Sequence, residues 1–194
     1  MKLQIKLIVV LLIVSAWVDA QPRVQPDNWA QLIINAELEN FYRVSDKLYR
    51  SEQPDKKAFK ELQSMGIMQV LNLRKHLTDR DEGRNTAIKL YHLRMSARKL
   101  TESQVFDALK VIKESQGPIL IHCWHGSDRT GVVAAAYRMV FQNWTAAQAI
   151  DEFKNGGFGY HHWAFPNLED LLNQLDVKKL RMALGLNLKI IQKQ

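Results

Sequence analysis

Apolar residues recur along this chain with two different periods, and the alternation between them outlines an α/β fold. Short runs rich in β-branched and aromatic residues read as strands. Tyr49-Arg50 lies on a first strand, Ile67 to Leu73 forms a second, Leu90 to Leu93 a third, and Ile119 to His122 follows Pro118 as another. Between them the spacing turns helical. Pro54 opens a helix through Met65 that stops at Gly66, Thr101 caps a helix reaching Ser115, and a further helix starts near Arg129 and runs from Val132 to Phe141. Strands alternating with helices predict a mostly parallel central sheet of about four to five strands, with helices on both faces. In such sheets ligands bind beyond the carboxyl ends of the strands.

The last third reads as helices over Thr145 to Lys154, Pro166 to Leu175 and Val177 to Leu184. Between the first two lies Asn155-Gly156-Gly157-Phe158-Gly159-Tyr160-His161-His162-Trp163, which reads either as a plain helix connection or as a pocket wall. At the other end, Lys2 and Lys6 precede the apolar run Leu7 to Val14, and Val18-Asp19-Ala20 offers small residues before Gln21. Residues 1–20 therefore read as a signal peptide, and the protein as exported, periplasmic or secreted. An N-terminal membrane anchor is the weaker alternative, because Ile5 to Val18 falls short of the roughly 20 residues a span needs. Residues 21–40, with Pro22 and Pro26, form a lead-in that packs as a short helix or stays loose; residues 41–194 form one folded domain.

Composition narrows the function classes. The 194 residues, 46% of them hydrophobic, suit one domain with a sizeable core, and nothing suggests a second. Formal net charge is +7, and +6 once Lys2, Lys6 and Asp19 leave with the signal segment. A mildly basic surface suits anionic partners. No basic run is interleaved with aromatics, so nucleic acid is not an expected partner. The adjacent His161 and His162 lack a nearby third ligand, and no metal or other cofactor is expected. The single cysteine cannot form an internal disulfide, so its retention points to reactivity.

That cysteine sits in His122-Cys123-Trp124-His125-Gly126-Ser127-Asp128-Arg129-Thr130-Gly131, between an apolar strand and a helix. A loop so placed can turn its backbone N–H groups inward, and the helix start adds its positive end, which makes an anion cradle. The same field favours the thiolate of Cys123. Arg129 supplies a planar fork able to hold two phosphate oxygens. Gly126 permits a positive φ where backbone approaches ligand, Gly131 permits close helix packing, and the hydroxyl of Thr130 can donate to the sulfur. His122, pointing away from Cys123 along the strand, reads as a hydrogen-bonding support of the loop. Trp124, His125, Gly126, Ser127, Asp128 and Arg129 form the expected substrate-binding loop, with Trp124 and His125 facing its mouth.

This segment resembles the signature loop of the cysteine-dependent protein tyrosine phosphatase superfamily, His-Cys, five residues, then Arg-Thr/Ser-Gly. The stretch Phe41 to Pro54 and the run Val70-Leu71-Asn72-Leu73-Arg74 resemble its compact dual-specificity-like branch. The resemblance implies a catalytic domain over 41–194 that hydrolyses phosphomonoesters through a phosphocysteine intermediate without a metal. The substrates it implies are phosphotyrosine and also phosphoserine or phosphothreonine on proteins. Phosphoinositides or inositol polyphosphates are the first alternative, although the lysine frequent in lipid-directed loops is replaced by Ser127. A phosphate-binding module of weak catalysis is the second.

Many dual-specificity phosphatases carry a general-acid aspartate roughly thirty residues before the cysteine, where this chain reads Lys89-Leu90-Tyr91-His92-Leu93-Arg94-Met95-Ser96 without a carboxylate. Asp79, Asp81 and Glu82 lie further upstream in a charged loop that reads as solvated. Asp128, inside the cradle, is the expected acid; bound phosphate at about 6 Å favours its protonated form by roughly 3 kcal/mol at an effective dielectric near 20. The competing role for Asp128 is structural, accepting loop N–H groups or pairing with a neighbouring arginine. Arg74, Arg94 and Arg98 are candidate additional anion contacts.

Overall fold

The computed structural model describes residues 25–35 and 37–186. The expected signal segment lies outside them, as does the end of the chain from 187. The elements are β1 (Gln31–Leu32), β2 (Tyr42–Arg43), β3 (Leu48–Ser51), α1 (Lys56–Ser64), β4 (Gln69–Asn72), β5 (Lys89–His92), α2 (Glu102–Glu114), β6 (Ile119–His122), α3 (Asp128–Phe141), α4 (Ala146–Asn155), α5 (Asn167–Gln174) and α6 (Val177–Ala183). A short 3-10 turn, Ala97–Lys99, precedes α2.

The strands form one six-stranded sheet in the order β1-β2-β3-β6-β4-β5. β3, β6, β4 and β5 run parallel, while β1, β2 and β3 pair antiparallel. The parallel core and its flanking helices match expectation, and the strand count does not. β1 and β2 have two residues each, too short to leave a period; β1 lies in the stretch read as lead-in and β2 just after it. That stretch is neither helical nor loose where it is described. Trp29 and Ala30 are buried, and the Ala30 N–H donates to Glu152 Oε1 at 2.6 Å.

Side chains alternate across the sheet as strand geometry requires. Val70 and Leu120 face a cluster with Phe41, Phe59 and Leu62 under α1. Leu71, Ile119 and Ile121 face the larger cluster built with α2, α3, α5 and α6. Each such aliphatic side chain contributes about 1.5–3 kcal/mol on full burial. α3 is the central element of that face, buried at every position from Thr130 to Val140, and a helix apolar all round belongs inside a core.

α3 meets α4 closely. A Cβ at Gly131 would collide with the ring of Phe153, which confirms the packing role expected of that glycine. Two turns further along α3, Arg138 forms a buried two-pronged ion pair with Glu152, Nε to Oε2 at 2.8 Å and Nη2 to Oε1 at 2.6 Å. Arg138 Nη1 also donates to the Val44 carbonyl at 3.0 Å, and its guanidinium lies over the ring of Trp144. Lead-in, α3 and α4 are thus tied by one buried charge pair.

Candidate active site

β3, β4 and β6 run parallel, so their carboxyl ends meet on one edge of the sheet, and the loop from Cys123 to Ser127 leaves β6 at that edge. The loop is fixed from below. Gly126 sits at φ +71, and a Cβ there would collide with the Ser51 carbonyl and lie 2.7 Å from the Glu52 nitrogen. Only glycine fits this crossing. The Gln53 N–H donates to the Trp124 carbonyl at 3.0 Å, and Arg50 Nη2 donates to the Gly126 carbonyl at 2.6 Å. Two of the loop's carbonyls, those of Trp124 and Gly126, are thus tied to β3 and the residues just after it.

α3 begins at Asp128, so the amides of its first turn lack an intrahelical acceptor. Its N-cap residue, Ser127, makes no side-chain cap bond among the described residues. Asp55, Thr101, Thr145 and Asp176 each supply that bond to α1, α2, α4 and α6. Left uncapped, the start of α3 offers donors and the positive end of its dipole to an anion. Cys123 lies buried at the base, while Arg129 reaches a groove beside it with its Nε lacking a partner among the described residues. The hydroxyl of Thr130 is buried and likewise without a partner, so the expected bond to the sulfur does not form here. On an α-helix that side chain points back along its own turn.

His122 supports the loop as its strand position implies. Its Nδ1 contacts the Cys123 carbonyl at 3.0 Å and its Nε2 contacts Asp79 Oδ2 at 2.8 Å, with the ring fully buried. Asp79 corrects the reading of its loop as solvated. Its carboxyl is sealed, and Oδ1 accepts from Asn72 Nδ2 at 2.8 Å, Arg74 Nη2 at 3.1 Å and Gln53 Nε2 at 3.2 Å. Burial pushes this carboxyl up, but the bond and charge of His122, the Gln53 bond and the Arg74 charge together hold it below its ordinary value. A string of charged letters conceals such a residue; only the fold reveals that four donors surround it. Asp81 remains exposed and pairs with Arg84.

Arg50, read only as a strand residue, is the other group whose role the residue pattern concealed. Fully buried behind the cradle, its guanidinium lies 3.7 Å from the centre of the Phe158 ring. Burial lowers its proton affinity most, partly offset by Glu152, Cys123 and Tyr42, leaving its pKa at about 10. It is still a cation at neutral pH, placed behind the sulfur.

The glycine-rich segment between α4 and α5 is a wall of the site. Gly157, Phe158, Gly159 and His161 line a groove of about 420 Å³ with His125, Ser127, Tyr42, Glu39 and Glu52. Asn40 Nδ2 ties both sides together, donating to the carbonyls of His125 at 2.7 Å and Phe158 at 3.0 Å. Across the cradle lies a second groove of about 270 Å³, lined by Arg74, Lys75, His76, Leu77, Trp124 and Arg129. Trp124 and His125 thus stand exposed on opposite sides of the mouth. Arg74 joins the site, whereas Arg94 and Arg98 are exposed and line neither groove, with Arg98 lying over Phe165. A roomier cavity between α2 and α6 contains neither Cys123 nor Arg129.

Asp128 is 5% exposed and pairs with no arginine among the described residues. Oδ1 accepts the backbone N–H of His161 at 3.0 Å, and the His161 Nδ1 lies 3.0 Å from Oδ2 and 3.2 Å from Oδ1. His162 instead faces Glu169 at 3.6 Å.

Comparison with known proteins gives a consistent picture. A family model described as "Tyrosine phosphatase family" matches residues 36–162. The dual specificity protein phosphatase TpbA of Pseudomonas aeruginosa is 35% identical over 133 residues, 68% of this chain and 60% of the relative, so the match spans about three fifths of that protein. The inositol diphosphatase DSP5 of Arabidopsis thaliana is 29% identical over 177 residues, 83% of this chain and 80% of the relative. The crystal structure of P. aeruginosa TpbA superposes with a TM-score of 0.73 at 32% identity, covering 82% of this chain and 98% of that one. A cysteine-to-serine variant of TpbA in complex with pTyr gives 0.73 at 30%, covering 84% and 99%.

Proposed function

This chain belongs to the tyrosine phosphatase family, and from that membership we propose that it is an exported, cysteine-dependent phosphatase that hydrolyses phosphomonoesters, phosphotyrosine foremost. The observation carrying this reading is that Cys123 is buried where β6 gives way to a loop ending at the uncapped start of α3, beside a groove that Arg129 lines. The pTyr complex of TpbA supports the substrate class.

In this mechanism the Cys123 thiolate attacks phosphorus in line. The S–P bond forms as the bond to the leaving oxygen breaks, while the loop amides and Arg129 hold the equatorial oxygens where charge develops. Asp128 gives its proton to the leaving oxygen, then takes one from the water that cleaves the S–P bond. His122 and Asp79 hold the strand end from which the loop departs, and Arg50 clamps the Gly126 carbonyl. Gly131 lets the first turn of α3 pack against Phe153 of α4. Cys123→Ser should abolish turnover of p-nitrophenyl phosphate, and vanadate should inhibit the wild type. Cysteine-independent activity would contradict the mechanism.

A second reading, a phosphorylated inositol, is favoured by the groove of Arg74, Lys75 and His76 beside Arg129, which suits a substrate with more than one anionic group. Comparing kcat/KM for phosphotyrosine peptides and soluble inositol phosphates decides between them. Export rests on Lys2, Lys6, Leu7 to Val14 and the Val18-Asp19-Ala20 site. N-terminal sequencing of the protein recovered from its native host should begin at Gln21; an intact Met1 would support the anchor instead.

A further inference from the structure

Asp128 is held in a way its proposed task does not require. The His161 backbone N–H already orients Oδ1 at 3.0 Å, yet the ring of the same residue adds Nδ1 within 3.2 Å of both carboxylate oxygens. Side-chain exposure differs sharply across this pair, 8% for Asp128 and 37% for His161. The carboxyl is nearly sealed from water, and the imidazole is its opening to the groove.

We infer that His161 is the proton reservoir of Asp128, loading the carboxyl before bond cleavage and unloading it afterwards. This rests on the phosphatase reading above. A protonated His161 passes its Nδ1 proton to Asp128 Oδ2 as the substrate dianion enters. Asp128 gives that proton to the leaving oxygen while the S–P bond forms and the P–O bond breaks, leaving a carboxylate and a neutral imidazole. In the second half, water attacks phosphorus and the S–P bond breaks to regenerate the thiolate. The proton lost by water goes to Asp128 and on to His161, restoring the starting state, so protons and electron pairs balance without a further reactant. Histidine suits this task because a ring nitrogen can both give and take a proton.

Among the described residues no other side chain hydrogen-bonds Asp128. Burial, followed by the charges of Glu169, Asp128 and Asp170, pushes the neighbouring Tyr160 phenol up to about 12, and its hydroxyl donates to the Phe165 carbonyl at 2.7 Å. His125 approaches the His161 ring at 5.6 Å between centres, but no bond joins it to Asp128 among the described residues. Glu39 and Glu52 also line this groove, where the Glu52 carboxylate accepts the Glu39 backbone N–H at 3.0 Å.

Because His161 acts through Asp128 it is a positioning residue, and its test must separate placement from proton supply. His161→Asn keeps a donor where Nδ1 stands but has no proton to transfer. Measured as kcat/KM over monoesters from p-nitrophenyl to alkyl phosphates, it should lose at least about tenfold more on the alkyl esters than on the aryl ester, as general-acid loss predicts. His161→Gly should show the same bias, and added imidazole should reduce it. A leaving-group dependence for His161→Asn equal to wild type, or no response of His161→Gly to imidazole, would overturn the inference. Absence of Cys123-dependent turnover in the wild type would instead sink the phosphatase reading itself.

Discussion

Asp79 and Asp128 are both nearly sealed carboxyls at the edge of one sheet, yet their partners give them opposite tasks. Asp79 accepts from four side chains, one of them a fully buried histidine and another a buried arginine, so it is committed to structure. Breaking such a pair leaves buried charge uncompensated, and Asp79→Asn should lower stability by about 3–5 kcal/mol in urea unfolding near neutral pH. Its lowered folded value gives this contribution a definite sign with pH. The stabilisation is fully present above the ordinary carboxylate value of about 3.9 and is lost as pH falls through the lower folded value, so wild type and variant should converge in acid. Asp128, by contrast, has His161 as its hydrogen-bond partner among the described residues. Asp128→Asn should leave stability near wild type while lowering kcat/KM on alkyl phosphates by about 10²–10⁴-fold; near-normal rates would reassign the acid.

At the scale of elements, the cradle depends on a strand end, a crossing and a helix start held in register. Gly126 is the crossing, and Gly126→Ala should abolish vanadate binding and cut turnover at least about 10²-fold, with circular dichroism unchanged, because the displaced loop loses its donors. Much of this was legible in the residues. Cys123, Arg129, Gly126 and the buried β6 stand in one contiguous segment, where strand and helix periods change within a few positions. The long helices were equally plain, and Thr101 and Thr145 cap theirs with a reciprocal bond to the glutamine three residues on. What stayed hidden was non-local: a guanidinium from β3 under the loop, a histidine from the α4–α5 connection on Asp128, and two strands of two residues. None of these has a period or motif: the two side chains are set by partners tens of residues away, and a strand of two residues is too short to repeat.

Over the whole molecule, the antiparallel edge and the helical face are joined through Arg138 and Glu152, and this junction also positions the groove wall containing Gly157 to His161 at the far end of α4. Glu152→Ala should lower Tm by roughly 10 °C, from a loss of about 3–5 kcal/mol in a chain this long. It should also loosen the N-terminal edge, seen as faster amide exchange at Ala30, whose N–H donates to that carboxylate. The junction stands apart from the chemistry, which turns on one sulfur atom. The most direct test is to quench the enzyme in acid during turnover of an aryl phosphate and locate the trapped phosphoryl group by peptide mass spectrometry. It should lie on Cys123 in the wild type and be missing from Cys123→Ser. Turnover with no phosphoryl group on Cys123, or with the group on another residue, would contradict the account.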